Sequence, residues 1–191
     1  MTRATLLIAI TLAWATAGSA GHAQGYGTAQ TPSRAELIAT MLVDAHRQAE
    51  TPSRSNRRAL GSALTTLDRL GVHAQPGIGD DAIAEWRALP GVRAGNRYRG
   101  RVLGPAFRRG WLDAGQMVQV EQLFLSGQAA SVSVANLPDG PLRLGVSGPD
   151  GRANCQEAAR NCNWMPSFTQ RYTITIRNIS PRATRFYLVM D

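Results

Sequence analysis

The segment Tyr172–Arg177 reads YTITIR, and it sets the fold class of this chain. Large apolar side chains occupy every second position, and threonine or arginine takes each position between them. Successive side chains of a β-strand point to opposite faces of the sheet, so this alternation predicts a strand with one buried face.

The same alternation recurs through the C-terminal half of the chain. It is found at Val118–Val120, Val132–Val134, Leu142–Val146 and Phe186–Met190, and two further strands are expected at Tyr98–Leu103 and Arg108–Leu112. Turn sequences such as Pro138–Gly140 and Pro149–Gly151 separate the strands. Roughly seven strands with one apolar face each can bury those faces only by packing two sheets together. The prediction is an antiparallel two-sheet β-sandwich over residues 92–191.

The N-terminus is typical of a bacterial secretory signal peptide. It has an arginine at position 3, an apolar run from Leu6 to Ala15 and then small residues. The run is too short to span a bilayer, which takes about 20 apolar residues. We expect residues 1–23 to be a signal peptide, with cleavage after Ala23 or after Ala20. The mature protein is then periplasmic or secreted and has no transmembrane segment.

Residues 24–30 are expected to be a disordered leader, and residues 31–91 a helical region. The motif Thr-Pro-Ser-Arg occurs at 31–34 and at 51–54, and each copy predicts a helix start, because Ser and Thr cap free N–H groups and Pro fits the first turn. The expected buried positions are Leu37, Ile38, Met41, Leu42 and Ala45 in the first helix, and Leu60, Ala63, Leu64, Leu67 and Leu70 in the second, which ends at Gly71.

A third, short helix is expected from Asp80 to Leu89, with its acidic residues at the positive helix end. About 60 residues of short helices form only a thin core by themselves. The helical region therefore either packs on the sandwich or forms a small hairpin that binds a partner. The predicted fold class is α+β, with a short helical region followed by a jelly-roll-like antiparallel β-sandwich.

The chain contains two cysteines, Cys155 and Cys162. An exported protein reaches an oxidising compartment, so we predict that they form a disulfide. The spacing is not that of a CxxC redox motif, and two cysteines do not make up the four ligands of a structural zinc site. We therefore expect no metal and no cofactor. A calcium site in the sandwich loops is the open alternative, although no clustered Asp/Asn run supports it.

The chain is strongly basic, with 21 basic and 13 acidic residues, and every basic residue is arginine. Removal of Arg3 with the signal peptide leaves 20 basic against 13 acidic residues, a formal charge of +7. This arginine content has two explanations. One is codon bias in a GC-rich genome, and the other is selection for anionic partners, because arginine pairs bidentately with carboxylates and phosphates.

One arginine cluster is denser than the rest of the chain, and no acidic residue lies between Arg93 and Arg109. Aromatic residues are interleaved with it, a pattern typical of surfaces that bind anionic polymers. The candidate anion-binding residues are Arg97, Arg99, Arg101, Arg108, Arg109 and Trp111. The alternative is a solvated outer face of the first two strands with the aromatic side chains pointing inward. In an exported protein the expected partner is an anionic envelope polymer, and no nucleic acid is expected.

Motifs for catalysis are missing from the sequence. A hydrolase needs a nucleophile held beside a base, or a metal with an open position. The mature chain has two histidines, His46 and His73, and neither belongs to an HExxH motif; no GxSxG motif occurs. We expect His46 at the exposed edge of the first helix and His73 in a loop. No catalytic residue is predicted.

Four parts of the strand region match a family pattern: Leu112–Gln116, Leu142–Leu144 followed by Pro149–Gly151, Thr169–Ile176 and Phe186–Val189. Through these segments, residues 98–191 resemble the bacterial pre-peptidase C-terminal domain, a small β-sandwich of secreted proteins. The chain departs from the family at Gln170-Arg171, where members often have glycine before the tyrosine, and in the Cys155–Cys162 excursion. The resemblance implies a jelly-roll-like sandwich with an accessory or binding role, and it transfers no catalytic residue.

The leading hypothesis is an exported, non-enzymatic accessory or binding module of the bacterial cell envelope. A second hypothesis is a structural or inhibitory partner of another exported protein, which docks through the helical region. A third is an enzyme of unrecognised type. A cleft that joins His46 or His73 to a carboxylate would favour the third hypothesis.

Overall fold

The structure is a computed structural model that describes residues 31–77, 80–95 and 104–191, with the backbone alone at residues 156–159. The helices are α1 (Arg34–Glu50), α2 (Arg54–Arg69) and α3 (Ala82–Arg87). The strands are β1 (His73–Ala74), β2 (Ala106–Leu112), β3 (Met117–Phe124), β4 (Ala130–Leu137), β5 (Leu142–Ser147), β6 (Ala153–Ala159), β7 (Asn161–Trp164), β8 (Gln170–Asn178) and β9 (Thr184–Met190).

The helices begin where the capping residues predict. The hydroxyls of Ser33 and Ser53 accept hydrogen bonds from the N–H groups of Glu36 and Asn56, at 3.2 and 3.0 Å. The Asp81 carboxylate caps α3 in the same way. The chain leaves α2 through Gly71, whose φ of 72° lies in the left-handed region that glycine adopts without strain.

The strands form two sheets. One sheet has the order β1-β2-β9-β4-β7 and the other has the order β3-β8-β5-β6. Among the strands of the described ranges, every pairing is antiparallel except the short parallel pairing of β1 with β2. The predicted fold class, an α+β chain with a helical region followed by a two-sheet sandwich, is confirmed.

Strand β9 lies at the centre of the molecule, with packed layers on both of its faces. Phe186, Leu188 and Met190 point into the core between the two sheets, whereas Tyr187 and Val189 point into a second core beneath the helices. Helix α1 packs on β4 and β9 and forms that second core together with α2 and α3. The helices therefore pack on the sandwich, the first of the two alternatives, and the described residues from position 31 onward form one compact unit.

The predicted helix faces are largely confirmed. Ile38, Leu42, Leu60, Leu64 and Leu67 are fully buried. The prediction that Leu37 is buried is wrong, because its side chain is exposed beside the groove between α1 and α2. The α1 face is rotated toward Ala35, Ala39 and Val43, since α1 covers a sheet as well as a second helix.

The predicted disulfide between Cys155 and Cys162 is confirmed, and it lies between two strands that the sequence did not predict. Cys155 belongs to β6 and Cys162 to β7, which are strands of opposite sheets. The bond therefore joins the two layers of the sandwich at one edge.

The proposed signal peptide, the leader and the predicted strand at Tyr98–Leu103 lie outside the described residues. None of the helices in the described ranges combines the length and the apolar composition of a membrane-spanning segment.

Candidate functional site

A cleft of about 670 Å³ opens where the C-terminal end of α1, helix α3 and the outer face of the first sheet meet. Aromatic side chains of Trp86 and Trp111 form part of its wall, and His46 lies at its base. Its charged residues come from four separate parts of the chain: Glu50, Asp80, Glu85, Arg109 and Arg185. We call this the His46 cleft.

Strands β2 and β9 supply the floor of the cleft by simple alternation. Arg109 pairs in register with Tyr187, and Trp111 with Arg185. Residues two apart on a strand share a face, and Tyr187 lies in the core beneath the helices. These four side chains therefore form a square on the helix-facing side of the sheet.

Arg109 holds helix α3 to the sheet. Its Nε donates a hydrogen bond to Asp80 Oδ2 at 3.0 Å, and its Nη2 contacts both oxygens of Glu85, at 2.8 and 2.9 Å. The guanidinium side chain is only 15% exposed. Burial acts to lower the pKa of Arg109, but the hydrogen bonds to Asp80 and Glu85 raise it well above its usual value. Arg109 is thus a permanent cation whose charge is already neutralised.

The expectation that His46 is exposed is wrong, because its side chain is only 5% exposed. It packs against the rings of Trp86 and Tyr187, with centroid separations of 6.0 and 5.9 Å. Position 46 follows Ile38 and Leu42 at intervals of four, so it lies on the buried face of α1. That spacing was the signal that would have placed it correctly.

Both ring nitrogens of His46 have polar partners. Nδ1 is 3.0 Å from the Tyr187 hydroxyl, and Nε2 is 2.8 Å from Glu50 Oε1 and 2.7 Å from Arg185 Nη1. In the neutral ring, Nε2 either donates to Glu50 or accepts from Arg185, and it cannot do both. Glu50 and Arg185 therefore compete for the side of the ring that faces the cleft.

Burial is the main reason why the pKa of His46 is lowered below 6.5, and it outweighs the opposing effect of Glu50. The cations Arg185 and Arg109 lower the pKa of His46 further. Burial likewise raises the pKa of Tyr187 to about 12, against the opposing effect of the Arg109 guanidinium. At neutral pH an uncharged imidazole therefore lies at the base of the cleft, and the uncharged Tyr187 phenol lies buried beneath it.

The lowered pKa of His46 predicts that acid destabilises the fold. Below pH 6.5 the unfolded chain takes up a proton at this residue before the folded chain does, so stability decreases as pH falls from 6.5 toward the lower folded pKa. The groups around the ring are Glu50, Arg185, Arg109 and Tyr187.

We expect His46→Gln to flatten this pH dependence, as measured by urea unfolding above and below pH 6.5. His73→Gln removes the other described histidine and serves as the control, which should keep the wild-type slope. An identical slope in wild type and His46→Gln would contradict the prediction.

Trp111 supplies the open aromatic surface of the cleft. Its side chain is 54% exposed, and the Arg185 guanidinium lies 5.8 Å from the ring centroid in a cation–π contact. The indole N–H donates to Asp113 Oδ1 at 3.3 Å, which helps to orient the ring. A large exposed ring beside charged groups is a suitable surface for a ligand that has both an apolar face and polar edges.

The candidate anion-binding residues are only partly brought together. Arg97, Arg99 and Arg101 lie outside the described residues. Arg109 and Trp111 both enter the His46 cleft, whereas Arg108 lies on the opposite face of β2 by strand alternation. Since Arg109 is paired with two carboxylates, an anion-binding role for this strip stays a prediction that Arg109 itself does not support.

The formal charge of the cleft is slightly negative, because three carboxylates (Glu50, Asp80 and Glu85) face two arginines and a neutral His46. Three or more metal-ligating side chains do not cluster anywhere in the described ranges. The cleft thus offers hydrogen-bond donors and acceptors around an aromatic surface, without the strong positive field that a polyanion would require.

Comparisons with known proteins identify no family for this chain. No protein-family model and no curated protein sequence matches it. Among solved structures, the periplasmic inhibitors of g-type lysozyme (PliG) from Aeromonas hydrophila and Salmonella Typhimurium are each 11% identical, with TM-scores of 0.36 and 0.33. They cover 46% of this chain and 84% and 89% of their own.

A de novo designed double-stranded β-helix is also similar, with 13% identity and a TM-score of 0.29, over 44% of this chain and 97% of its own. Similarity at this level supports no inference about function, and the resemblance to the pre-peptidase C-terminal domain stays a prediction.

Proposed function

We propose that this chain is an exported, non-enzymatic binding module of the bacterial cell envelope and that its ligand binds in the His46 cleft. The observation that carries the proposal is the open Trp111 ring, which stands in a concave site beside Arg185 and the exposed carboxylates of Glu50 and Glu85. Concave sites with an aromatic wall and a few polar groups are the usual form of ligand-binding sites.

The chemistry of the cleft favours an uncharged, ring-shaped ligand such as a sugar unit of an envelope glycan. The C–H face of a pyranose can pack on the exposed Trp111 ring, and its hydroxyls can donate to Glu50 or Glu85 and accept from Arg185. The slightly negative charge of the cleft disfavours a polyanion there. This ligand class replaces the anionic polymer as the proposed occupant of this site.

Export is supported by two features of the chain. Residues 1–23 have the composition of a signal peptide, and Cys155 is bonded to Cys162. Disulfides persist in the periplasm and outside the cell and are rare in the cytosol. A periplasmic or secreted location follows from this proposal.

An enzymatic role is the second candidate, because the cleft joins His46 to the Glu50 carboxylate at 2.8 Å. A general base needs a free lone pair directed at the substrate. Nδ1 of His46 is used by Tyr187, and Nε2 is shared between Glu50 and Arg185. The described residues that line the cleft include no serine, threonine or cysteine nucleophile. Its carboxylates, which are the groups that hydrolyse glycans, are paired: Glu50 with His46, and Asp80 and Glu85 with Arg109. The geometry therefore favours binding over catalysis.

Docking of another exported protein through the helices is less well supported. The apolar faces of α1 and α2 are used in the core beneath the sheet, as expected for helices that cover a sandwich. Leu37 is the large apolar side chain of α1 that stays exposed. A single exposed leucine is ordinary on a protein surface.

The test is a calorimetric binding screen of the mature protein with chito-oligosaccharides, soluble peptidoglycan fragments and an acidic polysaccharide. For the glycan that binds, Trp111→Ala should weaken the affinity about tenfold or more, because loss of a stacked aromatic contact costs about 1–3 kcal/mol. Phe168→Ala removes an aromatic side chain that is 71% exposed and is not part of the cleft, and it should leave the affinity unchanged.

Each outcome decides the proposal. The proposal is supported if a neutral glycan binds, if salt does not weaken the binding, and if Trp111→Ala does. Binding that survives Trp111→Ala, or the absence of binding to every glycan, overturns it. Release of a shortened product from a bound glycan would instead establish the enzymatic role.

A further inference from the structure

A second cleft, of about 500 Å³, has four arginines and no carboxylate among the described residues that line it. Arg54, Arg57 and Arg58 come from the first turns of α2, and Arg93 comes from the segment that follows α3. None of the four forms an ion pair with any residue in the described part of the chain. We call this the arginine cleft.

The arginine cleft forms because the segment from Pro90 to Gly95 is held against α2 by hydrogen bonds at both of its ends. The Arg57 Nη1 donates to the Pro90 carbonyl at 2.7 Å, and the Gly95 N–H donates to Thr65 Oγ1 at 3.0 Å. Between these two anchors the backbone passes directly over Gly61, where an added Cβ would overlap the Arg93 carbonyl oxygen. Close approach of this kind requires glycine, so Arg93 is held opposite the α2 arginines.

The arrangement is unfavourable in the absence of an anion. Arg54 and Arg57 are three residues apart on α2, and Arg54 and Arg58 are four apart, so each pair places like charges side by side. The first turn of α2 contains no acidic residue, although the positive end of the helix dipole favours one there. Ser53 already caps the N-terminal end of α2, so a bound anion would be contacted by the arginine side chains.

We propose that the arginine cleft binds a ligand that presents at least two phosphate groups side by side, either as a diphosphate or as neighbouring headgroups of a phospholipid surface. A guanidinium donates two parallel hydrogen bonds to a phosphate, and four guanidinia in one concavity provide more donors than one phosphate can use. The ligand would also neutralise the repulsion among the arginines. This proposal is independent of the glycan function, because it concerns a different cleft with different residues.

The experiment measures binding of pyrophosphate to the mature protein by calorimetry, with sodium sulfate at equal ionic strength as the reference anion. A second arm measures co-sedimentation with phosphatidylcholine vesicles that contain or lack phosphatidic acid, which separates a lipid headgroup from a free phosphate. Each arm uses wild type, Arg54→Glu/Arg58→Glu and the control Arg143→Glu/Arg171→Glu.

The two double variants change the net charge equally. Arg143 and Arg171 are exposed residues on β5 and β8 of the second sheet, away from the arginine cleft. Arg54→Glu and Arg58→Glu add negative charge near the N-terminal end of α2, which is favourable for the helix, so the variant should fold.

We expect the α2 variant to bind pyrophosphate or phosphatidic acid vesicles about tenfold or more weakly than wild type, because two guanidinium donors are replaced by carboxylates that repel phosphate. The control should retain wild-type affinity. Binding in either arm with this pattern supports the proposal and identifies the source of the phosphate. The proposal is overturned by any of three results: equal weakening in both double variants, binding no stronger than that of sulfate, or no binding in either arm.

Discussion

Replacement of Arg109 by leucine is expected to lower the free energy of unfolding by about 2–3 kcal/mol. The guanidinium contacts Asp80 and Glu85 and is only 15% exposed, so its removal leaves two carboxylates beside an apolar wall. Loss of one partner from a buried pair costs about 3–5 kcal/mol, and the partial exposure of Glu85 reduces that figure here. The measurement is the midpoint of urea unfolding at neutral pH.

Two comparisons separate the ion pairs from a general effect of losing an arginine. Arg108→Leu changes the neighbouring arginine, which has no ion pair with a described residue, and it should cost much less. In the Asp80→Asn/Glu85→Gln background, Arg109→Leu should also cost less than in wild type, because no unpaired carboxylate remains. An equal cost in both backgrounds would show that the ion pairs contribute nothing.

The role of Arg109 also shows where sequence reasoning reaches its limit. The alternation of β2 predicts a strand at this position, and the basic run from Arg93 to Arg109 suggests an anion-binding surface. In the structure the partners of Arg109 come from 24 and 29 residues earlier in the chain. The absence of acidic residues nearby in sequence therefore says nothing about which carboxylates are nearby in space.

The fold was more predictable than the site because it depends on local signals. Serine caps, the apolar positions of α2 and the alternation of β8 each reveal an element within one short window of sequence. Strands β6 and β7 carry no such signal, since Ala153–Ala159 is a run of small and polar residues. Their strand conformation depends on pairing with β5 and β4, which a single window of sequence does not show.

The residues at the floor of the His46 cleft could be predicted only with knowledge of the strand register. Arg185 and Tyr187 are ordinary members of the last strand in the sequence, and Glu50 is the last residue of α1. They meet His46 only because β9 packs beneath α1 and carries its odd-numbered positions toward the helices. The helical spacing of His46 predicts its burial, but no local pattern predicts its polar partners.

Gly110→Ala is expected to lower the free energy of unfolding by about 2–3 kcal/mol, although alanine is at least as good as glycine in a strand. Gly110 pairs directly with Phe186 across β2 and β9. An added Cβ would overlap the Phe186 ring and approach its Cε1 to 2.5 Å. Phe186 is 2% exposed in the core between the sheets, so its ring has no solvent to move into. Urea unfolding measures the loss.

The explanation is tested by a double-mutant cycle with Phe186→Leu. By itself, Phe186→Leu should destabilise the protein by about 1–2 kcal/mol, because it leaves a void over Gly110. The smaller side chain should leave room for the alanine Cβ, so the double variant should lose less stability than the two single losses together. Additive losses would show that the destabilisation by Gly110→Ala does not arise from its contact with Phe186. Coupled losses would show that the contact between Gly110 and Phe186 limits side-chain size on β2 between Arg109 and Trp111, two residues of the His46 cleft.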